Sequence, residues 1–209
     1  MESVLTVQKK AHSKKNIPDY LIKEEFDGVP LYYKGYKEVL AGTKTLEEIM
    51  AAGGLHSILV TYLTLLLGKQ LNHKLFRVLV GEVGSKFEKR KKATLDVAVF
   101  EKSVLPNTLI NRHLIPVPPL VDIEVDVNVE TPNLSQDEVV QFRTQKLLDG
   151  GVQKVIWIFT LTQKIMVAEQ GKDWLTFDWN RDVEIIDGVV FNVPAYLTEE
   201  GYDLKTLLS

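Results

Sequence analysis

After Leu120, apolar and acidic positions alternate without a fault over residues 121–127. In an extended chain Val121, Ile123, Val125 and Val127 share one side, and Asp122, Glu124 and Asp126 share the other. Three like charges along one strand face repel, so water or a cation must screen them. Two readings of that face stay open: a solvated acidic surface, or half of a divalent-metal site completed by groups from elsewhere in the chain. Around this strand the pattern predicts further elements. The Asp27-Gly28 turn signal before Leu31, Tyr32 and Tyr33 predicts a β-hairpin over 26–33. Thr45 with Glu48 reads as a capping box opening a short helix that Gly53-Gly54 ends. Between 55 and 71, Leu55, Leu59, Tyr62, Leu63 and Leu66 have the spacing of a helix with a wide buried face. Strands are expected at 75–82, 83–87 and 95–101, followed by a proline-rich connection over 106–119. Ser135 with Glu138 forms a second capping box, and Gly150-Gly151 supplies the stop, so 136–149 should be helical. The continuous apolar run at 155–159 reads as a strand buried on both faces. A strand, a helix and a strand in this order form a right-handed crossover if the two strands are parallel. The tail, at 164–169, 174–178, 183–186 and 194–208, reads as antiparallel strands and a closing turn.

Composition narrows the class. A chain of 209 residues with 45% hydrophobic content is long enough for one sizeable core, which gives a single domain over 21–209 behind a flexible segment, 1–20. With no cysteine there is no disulfide framework and no zinc-thiolate cluster. The basic first residues lack the apolar core of a signal peptide, and Thr61 and Thr64 break the run at 58–67, which suits a buried helix better than a membrane span. These features point to a cytoplasmic protein without a membrane partner. The net charge of −3 argues against a broad nucleic-acid surface. The one basic cluster, at 85–92, has a solvated turn as its plain reading.

Three groups could meet the acidic strand. On a wheel of about 100° per residue, Arg143 falls within the apolar stripe of Val139, Val140, Phe142, Leu147 and Leu148, while Lys146 lies on its flank. A guanidinium on a core-facing stripe needs a carboxylate partner, and Glu124 or Asp126 is the expected one, as a structural ion pair or as part of a site. Asp96 should face opposite to Leu95, Val97 and Val99, an acid among apolar residues that is costly unless it binds something. Glu82 ends the preceding strand. Asp96 with Glu124, a water and Glu82 would offer the oxygen ligands that Mg²⁺ prefers.

The ordered set LDVAVFEK, PPLVDIEVDV, VVQFRTQKLLDGGV and KVIWIF resembles the PD-(D/E)XK nuclease superfamily, and more narrowly its Uma-type restriction endonuclease family. KEEFDGVPLYYKGY and GGLHSILV are similar to that family's N-terminal segments, so the resemblance runs over 21–191. It implies a restriction-endonuclease-like α/β core, a central mixed β-sheet flanked by helices, with an extra N-terminal hairpin and C-terminal antiparallel strands. It implies a Mg²⁺- or Mn²⁺-dependent endodeoxyribonuclease acting on DNA, with Asp96 and Glu124 as metal ligands and a homodimer as the working form. The family lysine falls on Arg143, with Lys146 in reserve, and Asp126 stands where the superfamily's strand lysine would be. Arginine stays protonated, so it can bind phosphate but cannot serve as a base. Glu24 and His56 fall on the family's N-terminal glutamate and histidine. Their plain alternatives are a solvated acid and a satisfied first-turn histidine. Two further readings stay open: a catalytically lapsed nuclease fold used as a binding or assembly module, and a small-molecule phosphohydrolase.

Overall fold

The computed structural model describes residues 17–88 and 91–207. Most of the segment expected to be flexible, 1–16, and positions 89–90 of the basic cluster lie outside the described residues. The hairpin forms as β1 (Ile22–Phe26) and β2 (Val29–Tyr33), joined by Asp27 and Gly28, both with positive φ (53° and 80°) as a tight hairpin turn requires. Two short helices follow, α1 (Tyr36–Leu40) and α2 (Leu46–Met50), the second opened by the Thr45 capping box. The long helix is α3 (Gly54–Gln70). The segments 75–82 and 83–87 are one strand, β3 (Phe76–Glu88), interrupted by a bulge, and β4 (Lys91–Glu101) returns beside it. After the proline-rich connection come β5 (Val121–Val125), β6 (Val129–Glu130), α4 (Gln136–Asp149) and β7 (Lys154–Phe159). The tail holds β8 (Lys164–Glu169), β9 (Leu175–Asp178) and a separate hairpin of β10 (Val183–Ile186) and β11 (Val189–Phe191). It closes with α5 (Val193–Glu199) and α6 (Leu204–Leu207), helices where a closing turn was expected. Asn192 caps α5 and Pro194 sits in its first turn, both favourable at a helix start.

Among the described residues nine strands form one mixed sheet in the order β6-β2-β1-β4-β5-β7-β8-β9, with β3 on the opposite edge of β4. β5 and β7 run parallel with α4 between them in sequence, and the other pairs are antiparallel. Leu59, Leu63 and Leu67 of α3 pack on one face with Val97, Val99, Ile123, Val125, Ile156 and Ile158. Val139, Val140, Leu147 and Leu148 of α4 pack on the other with Ala98, Phe100, Val155 and Trp157. β5 therefore has a strand on each edge and a helical layer over each face, and all five of its residues are buried. The solvated reading of its acidic face is overturned. Alternation marks which residues share a side, but whether that side meets water is decided by what covers it. No helix among the described residues is long and apolar enough to cross a membrane.

The α4 start is a complete capping box: Ser135 Oγ accepts from Glu138 N–H at 3.3 Å, and Glu138 Oε2 accepts from Ser135 N–H at 2.8 Å. Ser135→Ala is expected to cost about 1 kcal/mol in urea unfolding, with Ser135→Asp close to wild type.

Candidate active site

The sheet contains a fork. β1 and β5 share the same edge of β4, β1 pairing at Lys91 and Lys92, β5 at Val97, Ala98 and Val99. Between them, on this edge, Thr94 and Asp96 have no strand beside them, and side chains supply the hydrogen bonds the ladder lacks. Thr94 N–H and Oγ1 both donate to Glu24 Oε1 at 2.9 Å, and Thr94 O accepts from Arg143 Nη2 at 2.7 Å. Asp96 Oδ2 accepts from Val125 N–H at 3.0 Å, where β5 has left β4. One step beyond the last β4–β5 pair, Val97 with Ile123, the register sets Asp96 opposite Glu124.

Arg143 binds the fork together from the α4 side. Its Nε and Nη2 donate to Glu24 Oε2 and Oε1 at 2.7 and 2.9 Å, and Nη2 also donates to Glu124 Oε1 at 2.9 Å. The guanidinium lies 5.2 Å from the Trp157 ring centre, whose Nε1–H is held by Thr144 Oγ1 at 2.8 Å. Burial works against the charge on Arg143, but Glu124 and Glu24 overcome it and push its pKa well up. Glu24 is fully buried, which removes the solvated alternative for it.

His56, in the first turn of α3, approaches from the other side, Nε2 lying 3.1 Å from Asp96 Oδ2. The hydrogen bond to Asp96 raises the histidine pKa against the opposing effect of partial burial. Burial resists ionisation of Asp96, yet the His56 hydrogen bond and charge, the Val125 N–H and Arg143 together hold it below the usual carboxylate range. His56 Nδ1 is buried without a partner, so this is not a fully satisfied histidine.

Asp122 stands next along the same face of β5, fully buried, with no donor for either oxygen. Burial pushes its carboxyl up to about 7, with Arg143 pulling the other way and Asp96 and Glu24 adding to the rise. Burial also drives Glu124 up, but Glu124 touches Arg143 and Asp122 does not, so the proton the two acids retain belongs on Asp122.

Of the residues singled out in the sequence, the structure brings Glu24, His56, Asp96, Glu124 and Arg143 into this cluster. Glu82 lies on the β3 bulge and pairs with Lys23 at 2.7 Å. Lys146 pairs with Asp27 at 2.7 Å toward the surface. Asp126 takes a left-handed backbone (φ 59°) that turns its carboxylate to Thr160, accepting from N–H at 2.8 Å and Oγ1 at 2.7 Å. It is therefore not the partner of Arg143. Lys23 escaped the sequence reading, and Asp122, although read as part of the acidic face, was not assigned as a ligand. Asp122 carried a signal, the third acid of the alternating strand. The expected alternation of β4 also fails at Asp96: Leu95 packs with Ala98 and Phe100, Val97 and Val99 on the other face, because β3 bulges opposite this point. Two shallow clefts, of about 170 and 400 Å³, flank Lys34 and include none of the cluster residues.

The donor set suits a hard cation, since Asp96, Asp122 and Glu124 offer only oxygen. Among the described residues no three acidic or histidine side chains converge as a ready-made metal cage. Two carboxylates are nonetheless the usual protein share of a Mg²⁺ site, with water and substrate providing the rest.

No family model matches the chain, and no curated protein matches it. Among solved structures it is similar to a protein from Anabaena variabilis ATCC 29413 described as "a putative nuclease belonging to DUF820", with a TM-score of 0.55 and 17% identity over 88% of this chain and 89% of that one. At that identity the likeness is one of fold, and the fold is the one expected from the sequence: a central mixed sheet flanked by helices, with added N-terminal and C-terminal strands.

Proposed function

We propose that the chain is a metal-dependent phosphodiesterase that cuts DNA, with Asp96 and Glu124 holding Mg²⁺ or Mn²⁺. The observation that carries this reading is the charge balance of the fork. Four acids, Glu24, Asp96, Asp122 and Glu124, are at most 4% exposed beside one guanidinium, Arg143, and with the proton on Asp122 three carboxylates still remain. His56 adds a partial second charge at the rim. A sheet has no structural need for this excess of buried acid, and a divalent cation beside Asp96 and Glu124 would relieve it. When bound, the metal would supply Lewis acidity and a water of lowered pKa. The chain's own residues set the stage for that chemistry. His56 and Val125 N–H fix Asp96 and keep it ionised; Arg143 fixes Glu124 and braces it against Glu24 and Thr94. Arg143 braces through Nε and Nη2 while its buried Nη1 has no partner, a positioning role in place of the base that a lysine could provide. A chain with one such site needs two copies to cut both strands, which is the case for a homodimer.

Titration calorimetry with Mn²⁺ tests the proposal. Asp96→Asn and Glu124→Gln, which preserve shape, should each weaken Mn²⁺ binding at least about tenfold, or about 1.4 kcal/mol, and reduce plasmid nicking in step. The direct contact of Arg143 with Glu124 favours a second reading, a lapsed site locked by its ion pair. Absence of Mn²⁺ heat with the wild-type protein would select that reading.

A further inference from the structure

Two interruptions of the sheet converge on Asp96. On β3 the register slips between Val80 with Val97 and Val83 with Leu95, which leaves Gly81 and Glu82 opposite Asp96, both with left-handed backbone (φ 87° and 56°). On β1 the register slips between Ile22 and Glu24, and Lys23 and Glu24 are buried in succession where a regular strand would alternate. Bulges re-aim side chains and concentrate beside active sites. These two aim Lys23 and Glu82 at each other, Nζ to Oε1 at 2.7 Å. β1 and β3 lie on opposite edges of β4, so the Lys23 side chain must cross β4 at the level of Thr94 to Asp96 to make this contact. Lysine at 5% exposure is rarely retained without a task or a partner. Its partner here is half exposed, at 49%, so the ion pair reaches solvent on the β3 side of β4, across that strand from the fork. Arg143 is closed off from a substrate by burial: it is 1% exposed, Nε and Nη2 are committed to Glu24, Thr94 and Glu124, and Nη1, though unpartnered, is buried as well.

We infer that Lys23 is the phosphate-binding cation of the fork, exchanging Glu82 for a non-bridging oxygen of a DNA backbone phosphate. The inference rests on the phosphodiesterase reading for its ligand, and concerns binding alone, with no bond made or broken. Anisotropy of a fluorescent DNA duplex in Ca²⁺, which reads binding without cleavage, tests it. Lys23→Met should weaken binding about tenfold and lower the salt slope by about one, while Lys23→Arg stays near wild type. Glu82→Gln, which frees Lys23 and leaves the buried cluster intact, should tighten binding. Wild-type affinity and slope in Lys23→Met, unchanged or weaker binding in Glu82→Gln, or no duplex binding by the wild-type protein would each overturn the inference. If the binding pattern holds while the wild-type protein fails to nick DNA in Mn²⁺, the phosphodiesterase reading falls and the phosphate site stands.

Discussion

Arg143→Met is expected to cost about 5 kcal/mol, most of the stability of an ordinary domain, and to leave the chain unfolded or nearly so at neutral pH. The methionine fills the space beside Trp157 but removes four hydrogen bonds at once, to both oxygens of Glu24, to Thr94 O and to Glu124 Oε1. Two carboxylates would then be buried with no charge to offset them, the situation in which breaking one side of an ion pair is most damaging. Urea unfolding measures the loss. Glu24→Gln in the Arg143→Met background should restore about 2 kcal/mol or more, since it removes one stranded charge, whereas Glu24→Gln alone should destabilise. Arg143→Lys should lie between, losing about 2 kcal/mol, because a single ammonium cannot serve Glu24, Thr94 and Glu124 from one position. If Arg143→Met unfolds within 1 kcal/mol of wild type, the cluster is not held together by this ion network, and its acids must be neutralised in some other way.

How much of this arrangement the sequence disclosed depended on the range over which each signal acts. The α4 helix was legible to the residue, because its start and stop are set by Ser135, Glu138 and Gly150, all local to it. The inward placement of Arg143 followed from the same helical period. Its partner was half legible: Glu124 was foreseen, but the bidentate contact is to Glu24, 119 positions away. No pattern within either strand or helix announces a contact of that range, and Glu24 entered only through the family resemblance. The bulges were invisible for a different reason. A slip of one residue on β3 split the apolar pattern into two apparent strands, and it reversed which face Leu95 shares with Ala98. On β1 the Lys23-Glu24-Glu25 run sets charges on both sides of a strand, a sign of irregularity that goes unnoticed until the ladder is seen. The acidic alternation of β5 reported the faces correctly and their exposure wrongly. Periodicity is a property of one strand, while burial is a property of the layers packed against it.

That burial leads to the other large effect, a loss of stability with rising pH that Asp122→Asn should abolish. The Asp122 carboxyl is fully buried, finds no donor, and is pushed up to about 7, well above a free aspartate. A carboxyl whose pKa is higher folded than unfolded binds its proton more tightly in the folded state. Its favourable contribution is therefore complete below the unfolded pKa near 4 and is lost as pH climbs through about 7. A gap of about three pKa units corresponds to about 4 kcal/mol between the two ends of that window. Asparagine keeps the shape, cannot ionise, and can donate to Glu124. Asp122→Asn should thus match the wild type near pH 4 and exceed it by up to about 4 kcal/mol at pH 8. Urea unfolding at several pH values reads both curves. Parallel curves would show that Asp122 is already ionised in the folded chain at low pH. In that case Arg143 and His56 would be neutralising four charges, on Glu24, Asp96, Asp122 and Glu124, and the fork would have still greater need of a cation.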